Sequence, residues 1–213
     1  QVRWCKVIQI IDCEQGTPEW FDARLGIPTA SEFSTVLASG KAGAESKTRR
    51  TYMLKLAGEI ITGEPMERIS NAAMERGHEM EPDARNLYAL LHDADPELIG
   101  FIRNGQKGCS PDALIGSNGL LEIKTKAPHL HIDALIRDSF PAEHIAQCQG
   151  ALWVSEREWI DLAVYWPKLP LFVKRAYRDK AYITRLSDAV DAFNDELSAL
   201  VAQVIRYGMA EAA

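Results

Sequence analysis

The sequence predicts a single α/β domain, residues 1–213, in which α-helices flank a central mixed β-sheet. Three observations carry that expectation. Apolar residues recur at helical spacing through the first part of the chain, short apolar runs separated by Gly, Asn and Ser follow Pro96, and helical and strand patterns then alternate to a long amphipathic C-terminal segment. With 213 residues, 46% hydrophobic and 25% charged, the chain is long enough to bury one substantial core.

The elements follow in order. Residues 18–25 and 29–38 read as short helices separated by Gly26 to Pro28, the second opened by Thr29 as N-cap with Glu32 three positions on. In residues 46–62, Met53, Leu54, Leu56, Ala57, Ile60 and Ile61 keep a helical period. Residues 72–91 form a second long helix, in which Pro82 either makes a kink or starts a new helix. Residues 98–103, 110–115 and 120–125 read as consecutive antiparallel strands. A helix over 141–154, strands over 159–166 and 171–177, and a helix over 187–207 complete the chain. No internal repeat or interdomain linker interrupts it.

The net charge of −6 argues against a protein that coats nucleic acid through a uniformly basic surface. Basic residues are nevertheless clustered. Lys41, Lys47, Arg49, Arg50 and Lys55 face one acid, Glu45, within residues 41–55, and Lys168, Lys174, Arg175, Arg178 and Lys180 face Asp179 within 168–180. Each cluster reads either as a phosphate-facing patch or as a solvated face, and Lys47 and Arg49 are candidate DNA contacts. Cys5, Cys13, Cys109 and Cys148 lie far apart without a CxxC pair, so free thiols are expected rather than a zinc ribbon, disulfide framework or iron-sulfur site. No apolar run reaches the roughly 18 to 20 residues of a membrane span and no signal pattern opens the chain. The expectation is a soluble, cytoplasmic protein without membrane association.

Chemistry concentrates in CSPDALIGSNGLLEIKTKAP, residues 109–128. Strand alternation puts Glu122 and Lys124 on one face and Leu121 and Ile123 on the other. A three-residue turn of Ser117, Asn118 and left-handed Gly119 would set Gly116 opposite Leu120, Leu114 opposite Glu122 and Asp112 opposite Lys124. Asp112, Glu122 and Lys124 then project from one side. Two converging carboxylates repel unless a proton or cation intervenes, and hard oxygen ligands suit Mg²⁺ or Mn²⁺. Such a metal polarises a phosphodiester oxygen and activates water, with a nearby ammonium to orient it. The same residues also fit a surface hairpin with a cross-strand Asp112 to Lys124 ion pair.

SPD followed ten residues after the Asp by EIK resembles the PD-(D/E)XK nuclease signature. EWFDARLGIPTASEF, GHEMEPDAR, CSPDALI with LEIKT, and AQCQGALWV occur in that order over residues 19–154. Together they resemble the phage lambda exonuclease group and the YqaJ-type viral recombinase nucleases. The resemblance implies a restriction-endonuclease-like core and a metal site made by Asp112, Glu122, the Ile123 carbonyl and Glu81, the last from a helix. It implies two Mg²⁺ ions, with Mn²⁺ able to substitute, and makes Lys124 an assistant to the attacking water and Gln147 a positioner of water or substrate. Arg24 and Ser31 would hold a terminal 5′-phosphate, a task suited to a guanidinium fork and a hydroxyl near a helix start.

Further candidates come from the residues themselves. Ser110, beside the metal motif, is a candidate phosphate contact, and Trp20 either stacks on a terminal base or packs in the core. His78 fits a metal-site residue or an ordinary helix-surface His. His129, His131 and His144 show no clear metal-ligand spacing.

The resemblance implies a 5′ to 3′ exonuclease on linear double-stranded DNA that releases mononucleotides and leaves a 3′ single strand. It also implies a ring-shaped homotrimer working with a single-strand annealing protein in recombination. A structure- or sequence-specific endonuclease with the same site is the competing enzymatic expectation, and a noncatalytic DNA-binding protein of nuclease fold is the third.

Overall fold

A computed structural model describes residues 8–40, 46–66 and 72–210. The expectations involving Cys5, Lys41 and Glu45 lie outside the described residues. Strand β1 (Ile8–Ile11) precedes α1 (Pro18–Arg24), a 3-10 turn (Ala30–Glu32) and α2 (Phe33–Val36). Helices α3 (Lys47–Thr62) and α4 (Ala72–His92) follow, then β2 (Pro96–Glu97), β3 (Phe101–Asn104), β4 (Gly108–Cys109), β5 (Ala113–Ile115) and β6 (Gly119–Thr125). Helix α5 (Pro128–Arg137), a 3-10 turn (Ala142–His144), α6 (Ile145–Ser155), β7 (Trp159–Tyr165), β8 (Phe172–Tyr177) and α7 (Lys180–Ala210) complete the order.

The mixed sheet runs β2-β5-β6-β7-β8, with β6 and β7 parallel and the other neighbours antiparallel. Its two faces carry different cores. Leu114, Leu120, Ile160 and Leu162 pack with residues of α3, α6 and α7, including Met53, Leu152 and Phe193. Ala113, Leu121, Ile123 and Ala163 pack under Ala84 and Tyr88 of α4. Alternation along β5, β6 and β7 thus feeds apolar side chains to both helical layers.

Two expectations about the strands are corrected. The strand expected over 98–103 belongs to a separate sheet of order β1-β3-β4, because its partners lie before α1 and after residue 107. Gly108 permits that pairing, since a Cβ there would stand 1.9 Å from the Phe101 ring. The hairpin register also differs: Ile115 faces Gly119, Leu114 faces Leu120 and Ala113 faces Leu121. The loop is therefore Gly116, Ser117 and Asn118, with Gly116 taking the positive φ of 51°. Gly119 is instead a strand residue under Trp159, where a Cβ would meet the indole at 2.2 Å.

Among the helices, α3 begins as expected, with Ser46 accepting from the Arg49 N–H, and ends on left-handed Gly63. The capping box expected at Thr29 does not form. Its hydroxyl is engaged by Arg24 and Ser31, and the segment splits into a 3-10 turn and one α turn. Pro82 lies inside α4, which continues through it. Lacking an N–H, it gives the His78 carbonyl no helical partner. Among the described residues no helix is long and apolar enough to cross a membrane.

Candidate active site

Asp112 stands one residue before β5, and its N–H still donates to the Leu121 carbonyl at 3.0 Å. The observed register puts it opposite Glu122 rather than Lys124. The displacement is two residues, an even number, so Asp112, Glu122 and Lys124 still share a face. Beyond Asp112 the two strands part. The Ile123 N–H, with no strand partner on that side, donates to the Asp112 carboxylate. A strand residue points its N–H and C=O to the same side, so the Ile123 carbonyl also looks into the gap.

That gap is a cleft of about 290 Å³ lined by Gly77, His78, Glu81, Asp112, Glu122, Ile123, Lys124 and Thr125. Helix α4 supplies the first three and β6 the last four. Glu122 is buried and receives Lys124 Nζ at 2.7 Å, while Gln147 of α6 donates its amide to the same oxygen. Burial pushes the Asp112 pKa well up, and the Glu122 and then Glu81 carboxylates add to the rise. Burial alone would lower Lys124, but Glu122 and Asp112 outweigh it and hold the ammonium above its ordinary range. Excess negative charge on hard oxygen donors is the environment a divalent cation relieves. Among the described residues no three His, Cys, Asp or Glu side chains are already gathered as a metal cage. Glu81 is turned to Arg85 at 2.9 Å, and Glu122 to its Lys and Gln partners.

A second cluster adjoins the first through Ser110. Trp20 Nε1 donates to Ser110 Oγ at 2.8 Å and to the Gly100 carbonyl at 3.1 Å. Arg24, buried, reaches Ser110 Oγ at 3.3 Å and Thr29 Oγ1 at 3.5 Å, and its guanidinium lies 3.9 Å from the Trp20 ring centroid. Ser31 Oγ is 3.2 Å from Thr29 Oγ1 and exposed. Arg24, Ser31 and Ser110 are therefore one hydrogen-bonded chain. Trp20 is 9% exposed and packs, so its ring supports Arg24 rather than standing open for a base.

The basic clusters are partly occupied. Arg49 makes a two-bond pair with Glu196 of α7, at 2.7 and 2.8 Å, whereas Lys47 is exposed at the start of α3. Arg175 binds Asp161, Lys174 binds Asp138, and Arg178 donates to the Leu152 and Arg157 carbonyls. Cys13, Cys109 and Cys148 are free thiols. Sequence reasoning missed Thr29, Gln15 and Thr125. Gln15 Nε2 donates to the Pro111 carbonyl at 3.1 Å, holding the segment before Asp112, and nothing in its local sequence marks that long-range bond. Thr125 continues the alternation of LEIKT by one residue, a signal that was present.

A mixed sheet between helical layers, with carboxylates and a lysine gathered where β5 leaves β6, defines a nuclease of the restriction-endonuclease-like class. Solved structures agree. The chain is similar to LHK-Exo, an alkaline exonuclease from Laribacter hongkongensis, in two crystal structures, one in complex with dAMP. Identity is 35% and 34%, the TM-score is 0.82 for both, and 92% of this chain covers 100% of the other. A phage-related exonuclease from Haemophilus somnus 129PT, 14% identical over 84% of this chain and 96% of its own, shares the fold at a TM-score of 0.63. Residues 19–158 match the YqaJ-like viral recombinase domain, and the chain belongs to that family. No curated protein matches it.

Proposed function

We propose that this chain is a metal-dependent exonuclease that digests linear double-stranded DNA from its 5′ ends. It releases mononucleotides and leaves a 3′ single strand for homologous recombination by single-strand annealing. The observation that carries the reading is the single cleft shared by Glu81, Asp112, Glu122, Ile123 and Lys124. Asp112, Glu122, Glu81 and the Ile123 carbonyl are the donors for Mg²⁺, two ions in all, with Mn²⁺ as a substitute. When bound, the metal polarises a phosphodiester oxygen and lowers the pKa of water.

The protein's own groups divide the remaining work. Lys124 Nζ, held 2.7 Å from Glu122, orients the attacking water, and Gln147 fixes the Glu122 oxygen that Lys124 also uses. Arg24, Ser31 and Ser110 meet the terminal 5′-phosphate through donors already joined by hydrogen bonds. The dAMP bound to LHK-Exo is a mononucleotide, the product class assigned here. A ring-shaped homotrimer acting with a single-strand annealing protein completes the proposal by family resemblance.

The test is digestion of matched linear and circular duplexes, with Mg²⁺ or with chelator, the linear ones with and without a 5′-phosphate. Metal-dependent loss of the linear duplex, faster from phosphorylated ends, is expected. Cutting of the circle at an equal rate would replace the exonuclease with an endonuclease, and inactivity on both would defeat the nuclease assignment.

A further inference from the structure

The catalytic cleft shares lining residues with two further grooves. His78, Glu81 and Asp112 also line a groove of about 750 Å³ whose wall carries Asp12 and Glu14. Thr125, at the other side of the cleft, also lines a groove of about 670 Å³. The two arms differ in chemistry. In the first, Arg85 is the permanent cation among the described lining residues and is bonded to Glu81, which leaves the carboxylates of Asp12, Glu14 and Asp112 to set the charge of that arm. In the second, the aromatic rings of Phe140 and Trp166 stand among Arg76, Lys126 and Arg137.

Arg76 places its guanidinium 5.9 Å from the Trp166 ring centroid, and among the described residues no carboxylate pairs with it. Lys126 pairs at 2.6 Å with Glu143, whose side chain is 59% exposed, and Arg137 pairs at 2.8 Å with Asp133 on the surface of α5. The Arg137 pair is open to water on both sides and weakly held, and in the Lys126 pair, where Lys126 is 17% exposed, it is the acid that stands open, so a phosphate oxygen can take the place of either acid. Trp166 is half-buried, so its ring is partly held by the fold and partly open. A ring flanked by cations is the arrangement that binds a nucleotide without regard to its sequence, by stacking the base and meeting the phosphates.

We propose that this second arm is a subsite for single-stranded nucleic acid, with a base stacked on Trp166 and adjacent phosphates met by Arg76 and Lys126. It rests on the nuclease reading above. Thr125, which lines both this groove and the catalytic cleft, selects the occupant: a strand whose 5′-phosphate is held by Arg24, Ser31 and Ser110 and which crosses the carboxylates can continue along an acidic groove or along an aromatic, cationic one. A hydrophobic peptide would use Phe140 and Leu130 of the same groove but would draw nothing from Arg76.

The experiment is binding of a short fluorescent oligothymidylate in the presence of chelator, compared among wild type, Trp166→Ala, Trp166→Phe and Arg76→Glu. Loss of one base-stacking partner is expected to weaken binding by about tenfold or more in Trp166→Ala and to be largely restored in Trp166→Phe. Arg76→Glu should weaken binding and flatten its salt dependence, and as a surface change it remains informative if Trp166→Ala fails to fold. Unchanged affinity in Arg76→Glu, with Trp166→Ala either unchanged or unfolded, overturns the subsite. Digestion of linear duplex by the wild type is measured alongside. If the wild type digests and the variants bind normally, the subsite fails and the nuclease reading stands. If the wild type is inert and the variants lose affinity, the reverse holds.

Discussion

Asp112 is held where a carboxylate is least comfortable, half-buried and beside the carboxylates of Glu122 and Glu81. Its folded-state pKa lies above the ordinary value, so any stability from its protonated form is present at low pH and lost as pH rises through the raised pKa. Above the ordinary carboxyl range the group therefore works against the fold unless a cation relieves it. Asp112→Asn removes the charge but keeps an oxygen to accept from the Ile123 N–H. We expect this variant to melt several degrees higher than wild type in chelator while losing hydrolysis by about 10²-fold or more. Mg²⁺ should raise the wild-type Tm and leave the variant nearly unmoved. A variant melting below wild type in chelator would show that Asp112 stabilises the fold. His144 supplies the opposite case. Burial first, then Lys124 and Lys126, push its pKa from 6.5 down to about 4, against a smaller opposing pull from Glu143. The unfolded chain takes up that proton at higher pH than the folded one. Stability from neutral His144 is full above about pH 6.5 and fades as pH falls toward 4. His144→Asn should therefore flatten the fall of Tm across that window, and parallel Tm curves would remove His144 as a contributor.

Between elements, the most consequential bond is one that the sequence does not advertise. Asp161 of β7, 2% exposed, accepts two bonds from Arg175 of β8 at 2.8 Å and one from Tyr88 of α4 at 2.7 Å. Arg175→Ala leaves that carboxylate buried with Tyr88 alone, and a cost of about 2–3 kcal/mol is expected, below the 3–5 typical of fully buried pairs because the Arg side chain is partly exposed. Asp161→Leu combined with Arg175→Met should cost less than Arg175→Ala, since no charge is then stranded. Denaturant melts test this, and a single variant within about 0.5 kcal/mol of wild type would refute it. Arg175 had been read only as part of a basic cluster, because a partner fourteen positions away leaves no local trace. Helix α5 went unread for a different reason. His129, His131 and Asp133 interrupt its apolar pattern, and Leu130, Ile132 and Ile136 remain exposed. Strand β1 is an edge with Ile10 outward, so it lacks the inside-outside alternation that betrays a strand. Asp112, Glu122 and Lys124 were legible because alternation survives an even register shift. Glu81, Gln147 and Arg24 were reachable only by resemblance, since packing of α4, α6 and α1 makes their convergence.

Across the whole molecule, the parts that hold the site together are far apart in the chain. Strand β6 is paired along its full length with parallel β7, yet residues 126–158 lie between them. Helix α7 closes on α3 through Glu196 with Arg49 and through Phe193 stacked on Tyr52, 5.6 Å between centroids. Loop-closure entropy must be overcome before such distant contacts stabilise anything, which makes this topology slow to complete. In refolding from denaturant, hydrolysis of a fluorescent duplex is expected to lag the recovery of helical circular dichroism. Simultaneous recovery would show that the β5–β6 hairpin suffices. The parallel pairing thus sets an order of assembly: a chain emerging from the ribosome has presented its acids and its lysine well before the strand that must lie beside them has been made.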